Sequence, residues 1–107
     1  MIRFVPSEKE NCVEVVAYDG ENPAGTAKFN VEGFNMSFIS VESTDDIILE
    51  GLARASMNYA ANRNAYIAKI SKEFDAPAFR RLGFEGEDVL SVEIPEALMS
   101  GCSGCHQ

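Results

Sequence analysis

A chain of 107 residues that is 46% hydrophobic fits one small globular domain and is too apolar to stay disordered. Nine basic residues against 17 acidic ones give a formal charge of −8. This argues against nucleic-acid binding, which needs a surplus of Lys and Arg to neutralise phosphates. No run approaches the ~20 apolar residues of a membrane span, and the opening MIRFVPSEKE lacks the apolar stretch of an export signal, so a cytoplasmic protein with no membrane partner is expected.

Met1 to Val5 reads as a short strand ended by Pro6, and Ser7 to Asn11 as a charged turn. Cys12 to Asp19 is rich in β-branched residues, with Val13, Val15 and Ala17 on one face; Asp19-Gly20 is a turn signal. Gly25 to Val31 alternates, Ala27, Phe29 and Val31 pointing one way and Thr26, Lys28 and Asn30 the other. After a turn at Glu32-Gly33, Phe34 to Val41 is a further strand. Phe34, Met36 and Phe38 should share one face, with Ile39 and Val41 on the other, as in a central strand.

The period then changes. Ile48, Leu52, Ala55 and Tyr59 form a helical stripe widened by Ile47, Gly51 and Ala60. The helix should be capped by Ser43 or Thr44, with Ser43 and Asp46 imitating a capping box, and should end near Asn62. Tyr66 to Ile70 is a short strand. Asp75 should cap a second helix that carries Pro77 in its first turn and stops at Gly83. Val89 to Ile94 is the last strand, halted by Pro95, with a brief helical turn over Glu96 to Met99. Early hairpins followed by helix, strand, helix and strand predict an α+β domain with a mixed sheet and a right-handed parallel crossover from Phe34 to Ile70. Residues 1–99 should form this single domain, and 100–107 a flexible tail.

These segments resemble the GNAT N-acetyltransferases, which transfer an acetyl group from acetyl-CoA to an amine. VEVVAYDGENPAGTAKFNV resembles the family's second and third strands, FNMSFISV its fourth, DIILEGLARASMNYA the long helix that follows, and YIAKI its fifth strand. AFRRLGF resembles the segment that closes the next helix, with Leu82-Gly83-Phe84 the best-matched triplet. The resemblance implies a central mixed sheet with two main helices and acyl-CoA as partner. It implies that the cofactor would lie along the backbone of Phe38, Ile39, Ser40 and Val41, near Gly51 and Lys72. Between the first two strands only Pro6 to Asn11 intervenes, so the family's first two helices are missing. A homodimer is expected to cover the apolar sheet face thus exposed. The family's pyrophosphate loop falls on Asp46 to Gly51, where Asp46 replaces a basic or amide residue and Leu49 replaces a glycine. Asp45 and Asp46 in the first helical turn would repel phosphates, and the Tyr that commonly protonates the leaving thiolate is Phe79 here. The catalytic residues are therefore unknown. Two functions compete: an acyl-CoA-dependent N-acetyltransferase, and a non-catalytic binding module that keeps the fold.

The tail ends in Cys102-Ser-Gly-Cys105-His106. This matches the C-x-x-C-H of haem attachment, but its place near the end of a chain with no export signal argues against haem. Two thiolates and an imidazole suit zinc, and the two cysteines alone could form a redox dithiol. Three cysteines, with Cys12, do not make a disulfide framework.

Overall fold

The computed structural model describes residues 1–100. Six strands form one sheet in sequential order: β1 (Ile2–Glu8), β2 (Val13–Asp19), β3 (Asn22–Glu32), β4 (Asn35–Glu42), β5 (Ile67–Ser71) and β6 (Val89–Glu93). The first four are antiparallel neighbours, β4 and β5 are parallel, and β6 returns antiparallel to β5. The α+β mixed-sheet architecture and the crossover are as the sequence predicts. The β2–β3 and β3–β4 hairpins turn on glycines at positive φ, Gly20 at 66° and Gly33 at 63°, a conformation that costs glycine little.

Helix α1 (Asp46–Ala61) makes the crossover, a single 3-10 turn (Lys72–Phe74) precedes α2 (Pro77–Arg81), and α3 (Ile94–Ser100) follows β6 directly. Several boundaries differ from expectation. Pro6 does not end β1; it pairs with Val15 inside it. An edge strand can carry a proline because its outward N–H has no partner to lose. Pro95 does not merely stop a strand: it sits in the first turn of α3, where a missing N–H costs nothing, so a third helix joins the two expected. Asp75 does not cap α2, whose N-cap is Ala76 without a side-chain bond. Its carboxylate instead takes both Arg80 donors, at 3.0 and 2.8 Å.

Leu52, Ala53, Ser56, Met57 and Ala60 are the buried positions of α1. They meet Val15, Ala17, Ala27, Phe29, Met36 and Phe38 of the sheet in one core. The stripe is rotated from the one predicted: Ile47 is 78% exposed, and Tyr59 lies at the flank, where its hydroxyl donates to Glu8. Ser56 is fully buried, and its Oγ has no hydrogen-bond partner among the described residues. A buried polar group without a partner costs about 1–3 kcal/mol. Ser56→Ala is therefore expected to raise the unfolding free energy by about 1 kcal/mol, since alanine is also the better helix former. Urea titration of the variant would register this as a higher midpoint at unchanged slope.

The sheet face away from α1 is not covered by a helix and mixes polar and apolar side chains. Across it run Glu14, Lys28 and Ser40 in one row, and Asn30, Ser37, Lys69 and Ser91 in another. Val16, Ile39 and Ile67 are scattered among them. Val5, paired with Val16, and Val89 at the far edge add exposed apolar area to the same face.

With no helices between β1 and β2, the end of β1 is tied directly to α1. Tyr59 donates to Glu8 at 2.5 Å, Arg63 donates to the same carboxylate oxygen at 3.0 Å, and the guanidinium lies 3.8 Å from the centre of the Tyr59 ring. The Tyr59 hydrogen bond, then Arg63, holds the Glu8 carboxyl below its ordinary range, and the same bond to Glu8 raises the Tyr59 phenol. A depressed folded-state carboxyl adds stability at pH above its unfolded value, and that stability is lost as pH falls through the folded value. Stability is therefore expected to fall with acidification below the ordinary Glu value of about 4.3. Glu8→Gln should flatten that slope in a series of thermal melts against pH.

Candidate functional site

The parallel pairing of β4 with β5 is short. Asn35, Met36 and Ser37 match Ile67, Ala68 and Lys69, and the ladder stops there. β4 continues to Glu42 with only β3 beside it. Within that unpaired stretch the β3–β4 register shifts: Phe29 faces Phe38, while Lys28 faces Ser40. Ile39 is thus the extra residue of a bulge. The bulge turns Phe38 and Val41 into the same core, where simple alternation had put them on opposite faces, and leaves Ile39 47% exposed. The four strand residues expected to meet a cofactor, Phe38, Ile39, Ser40 and Val41, follow the point where the ladder to β5 stops. The Phe38 and Val41 side chains are committed to the core, which leaves these two only backbone groups to offer.

In the core, against the Phe38 side chain of this stretch, stands a cluster of rings. Phe79 packs edge-on to Phe38 at 6.1 Å and to Phe84 at 5.4 Å between centroids, and Phe38 and Phe84 are 6.5 Å apart. Phe79, at the position where the resemblance implies a proton-donating Tyr, is only 1% exposed. Lys72 lies in the 3-10 turn beside β5, at 3.7 Å from Asp88 in an exposed pair, which is worth little.

At the end of β4 the chain enters α1, and two donors of its first turn, the Ile47 and Ile48 N–H groups, are already bonded. The N-cap is Asp45, not Ser43 or Thr44. Its Oδ1 accepts from Ile47 at 2.8 Å and Ile48 at 3.4 Å. Ser43 accepts from the Asp45 N–H at 3.1 Å and donates to the Ala24 carbonyl at 2.9 Å. Asp46 then reaches across to α2, where it accepts from the Ala78 N–H at 3.2 Å and from Arg81 at 2.6 Å. Arg81 also donates to Glu50 at 2.9 Å. Glu50 accepts from Arg54, which donates on to the Leu98 carbonyl at 3.4 Å. The bonds to Asp46, then Glu50, raise the Arg81 pKa above its ordinary value. The pair of first-turn aspartates, read from sequence as repelling a phosphate, is therefore an internal anion: Asp45 satisfies the helix end and Asp46 bolts α1 to α2. The chain Asp46, Glu50, Arg54 follows i, i+4, i+8 spacing, so part of this ladder was readable; its link to Arg81 was not.

Gly51 lies inside α1, one turn beyond the helix start. A methyl group there would overlap the Phe4 ring tip and come within 3.0 Å of its neighbouring carbons. The glycine lets β1 lie against the helix. A cavity of about 830 Å³ opens beside the junction, bounded by Gly25, Thr26, Val41, Glu42, Ser43 and Asp45 among others.

Solved structures share this arrangement. A probable acetyltransferase from Staphylococcus epidermidis superposes with a TM-score of 0.69 at 13% identity, over 78% of this chain and 68% of its own. An aminoglycoside 6'-acetyltransferase type Ii gives 0.68 at 13%, over 80% and 71%. A GNAT family acetyltransferase from Brucella melitensis, in complex with acetyl-CoA, gives 0.63 at 16%, over 76% and 57%. The chain has the GNAT acetyltransferase fold. No protein-family model and no curated protein matches the sequence. At these identities the likeness fixes the GNAT fold and not the chemistry.

Cys102, Cys105 and His106 lie outside the described residues. Among the described residues, no group of three His, Cys, Asp or Glu side chains could hold a metal ion, and no helix is long and apolar enough to cross a membrane.

Proposed function

We propose that this chain is a reduced GNAT-fold protein acting as an acyl-CoA-dependent N-acetyltransferase that grips its cosubstrate at the acyl-pantetheine end alone. One observation carries the reading: β4 loses its β5 partner after Ser37 and bulges at Ile39. Backbone donors between Ile39 and Val41 can hold a thioester carbonyl and steady the oxyanion that forms when a neutral amine attacks it. The attacking nitrogen gives up a proton to water, the C–S bond breaks as the carbonyl re-forms, and the thiolate takes a proton from water, because Phe79 has no hydroxyl. The acetyl-CoA complex of the Brucella melitensis GNAT structure supports this choice of cosubstrate. The diphosphate end finds no cradle. Two first-turn donors of α1, those of Ile47 and Ile48, are spent on Asp45, and two unit charges of like sign at ~4 Å cost about 4 kcal/mol at an effective dielectric of 20.

Calorimetric titration with acetyl-CoA and with S-acetyl-pantetheine tests the reading. The two are expected to bind within a few-fold of each other. Acetyl-CoA binding a hundredfold more tightly would show that the diphosphate is gripped after all.

A second reading, a non-catalytic module that keeps the fold, is favoured by Phe79, buried against Phe38 and Phe84 in the core, at the position where the resemblance implies a proton-donating Tyr. It predicts that neither probe binds at millimolar concentration.

A further inference from the structure

The uncovered face of the sheet holds a second site. Of the nine lysines and arginines, only Lys28 and Lys69 lack a hydrogen bond, ion pair or ring contact among the described residues. Both stand on the face that no helix covers. Lys69 borders a cleft of about 480 Å³ shared with Asn11, Asn30, Glu32, Asn35 and Ser37. Register fixes their layout. Asn30, Ser37 and Lys69 lie side by side on β3, β4 and β5, and Glu32 and Asn35 lie side by side one row along. Directly opposed side chains on neighbouring strands are about 5 Å apart at Cβ. None of these six side chains makes a side-chain hydrogen bond or ion pair among the described residues.

The cleft thus offers one ammonium, one carboxylate, three carboxamides and a hydroxyl, all free to bond a ligand. No aromatic ring lines it, which removes the stacking platform a sugar ring would use. A net anion would meet Glu32 and the field of a chain with charge −8; a net cation would meet Lys69. A ligand with both charges and no net charge satisfies the whole set. We infer that this cleft binds a small zwitterion of the α-amino-acid kind, its carboxylate on Lys69 and its ammonium on Glu32, with the amides of Asn30 and Asn35 between. The site is separate from the gap beyond Ser37 and does not depend on acyl-CoA binding.

Amide NMR spectra of the full chain, titrated with L-serine, decide it. Saturable shifts are expected at Asn30, Asn35, Ser37 and Lys69. Two capped probes remove one charge each: N-acetyl-L-serine lacks the ammonium and L-serinamide lacks the carboxylate. Each is expected to bind about tenfold more weakly than serine, and Lys69→Gln and Glu32→Gln should each weaken serine by about the same factor. Both substitutions sit at exposed strand positions, and unshifted resonances elsewhere would verify the fold. Absence of saturable shifts with serine, a capped probe that binds as well as serine, or unchanged affinity in Lys69→Gln would each overturn the inference.

Discussion

Phe79→Ala is expected to lower the unfolding free energy by about 3–5 kcal/mol, the usual cost of removing a fully buried aromatic side chain. Phe79 is the middle ring of three, touching Phe38 on β4 and Phe84 beyond α2. Its loss would leave a hole where the sheet is already weakest, beside the stretch of β4 that β5 does not reach. A small domain holds only about 5–15 kcal/mol in total, so urea denaturation of the variant should show a markedly lower midpoint. Phe79→Tyr is the more telling change. It restores the hydroxyl that the resemblance implies at this position, but inside the ring cluster. A buried hydroxyl without a partner costs about 1–3 kcal/mol, and no gain in acetyl transfer is expected. Should Phe79→Tyr match the natural chain in stability and transfer acetyl groups faster, the hydroxyl would have found water or a thiolate. The gap would then have to be open where the rings now meet.

The features that sequence reading captured are those set by local chemistry. Asp19-Gly20 and Glu32-Gly33 mark turns because positive φ selects glycine, and Gly83, at φ 99°, marks the end of α2 for the same reason. The features it missed depend on partners distant in the chain. Nothing near Asp46 announces Arg81, 35 residues on, as its partner, so the fastening of α1 to α2 could not be read from the first turn, although its negative charge could. Phe38-Ile39-Ser40-Val41 did carry a signal. Adjacent apolar residues at 38 and 39 break the alternation, and a bulge is the usual way a strand with one buried face absorbs such a break. The rotation of the α1 stripe came from Tyr59, whose ring is apolar but whose hydroxyl must reach a partner, and Glu8 supplies one at the flank. Truncation between β1 and β2 was plain in the sequence. Its consequence was not, because the polar rows on the uncovered face emerge only once register places Lys28, Asn30, Ser37 and Lys69 together.

Gly51 separates a structural from a cofactor-binding role most cleanly. Glycine inside a helix ordinarily costs about 1 kcal/mol relative to alanine, so Gly51→Ala should stabilise α1 if nothing lies against it. Here the Phe4 ring does, and an added methyl would come within 3.0 Å of both flanking ring carbons. The ring must swing out or β1 must shift, at a cost of up to roughly 2 kcal/mol in lost apolar contact and strain. The expected net result is a destabilisation of about 1 kcal/mol in the natural chain. In a Phe4→Ala background the obstacle is gone, and the same substitution should stabilise by about 1 kcal/mol. The sign of Gly51→Ala thus reverses with residue 4, a coupling that a double-mutant cycle measures directly. A glycine kept only to admit a phosphate would behave otherwise: Gly51→Ala would stabilise both backgrounds equally and weaken acetyl-CoA relative to S-acetyl-pantetheine. Reversal of sign with unchanged relative affinity would place Gly51 in the seam between β1 and α1, the contact by which a GNAT fold without its first two helices closes its edge.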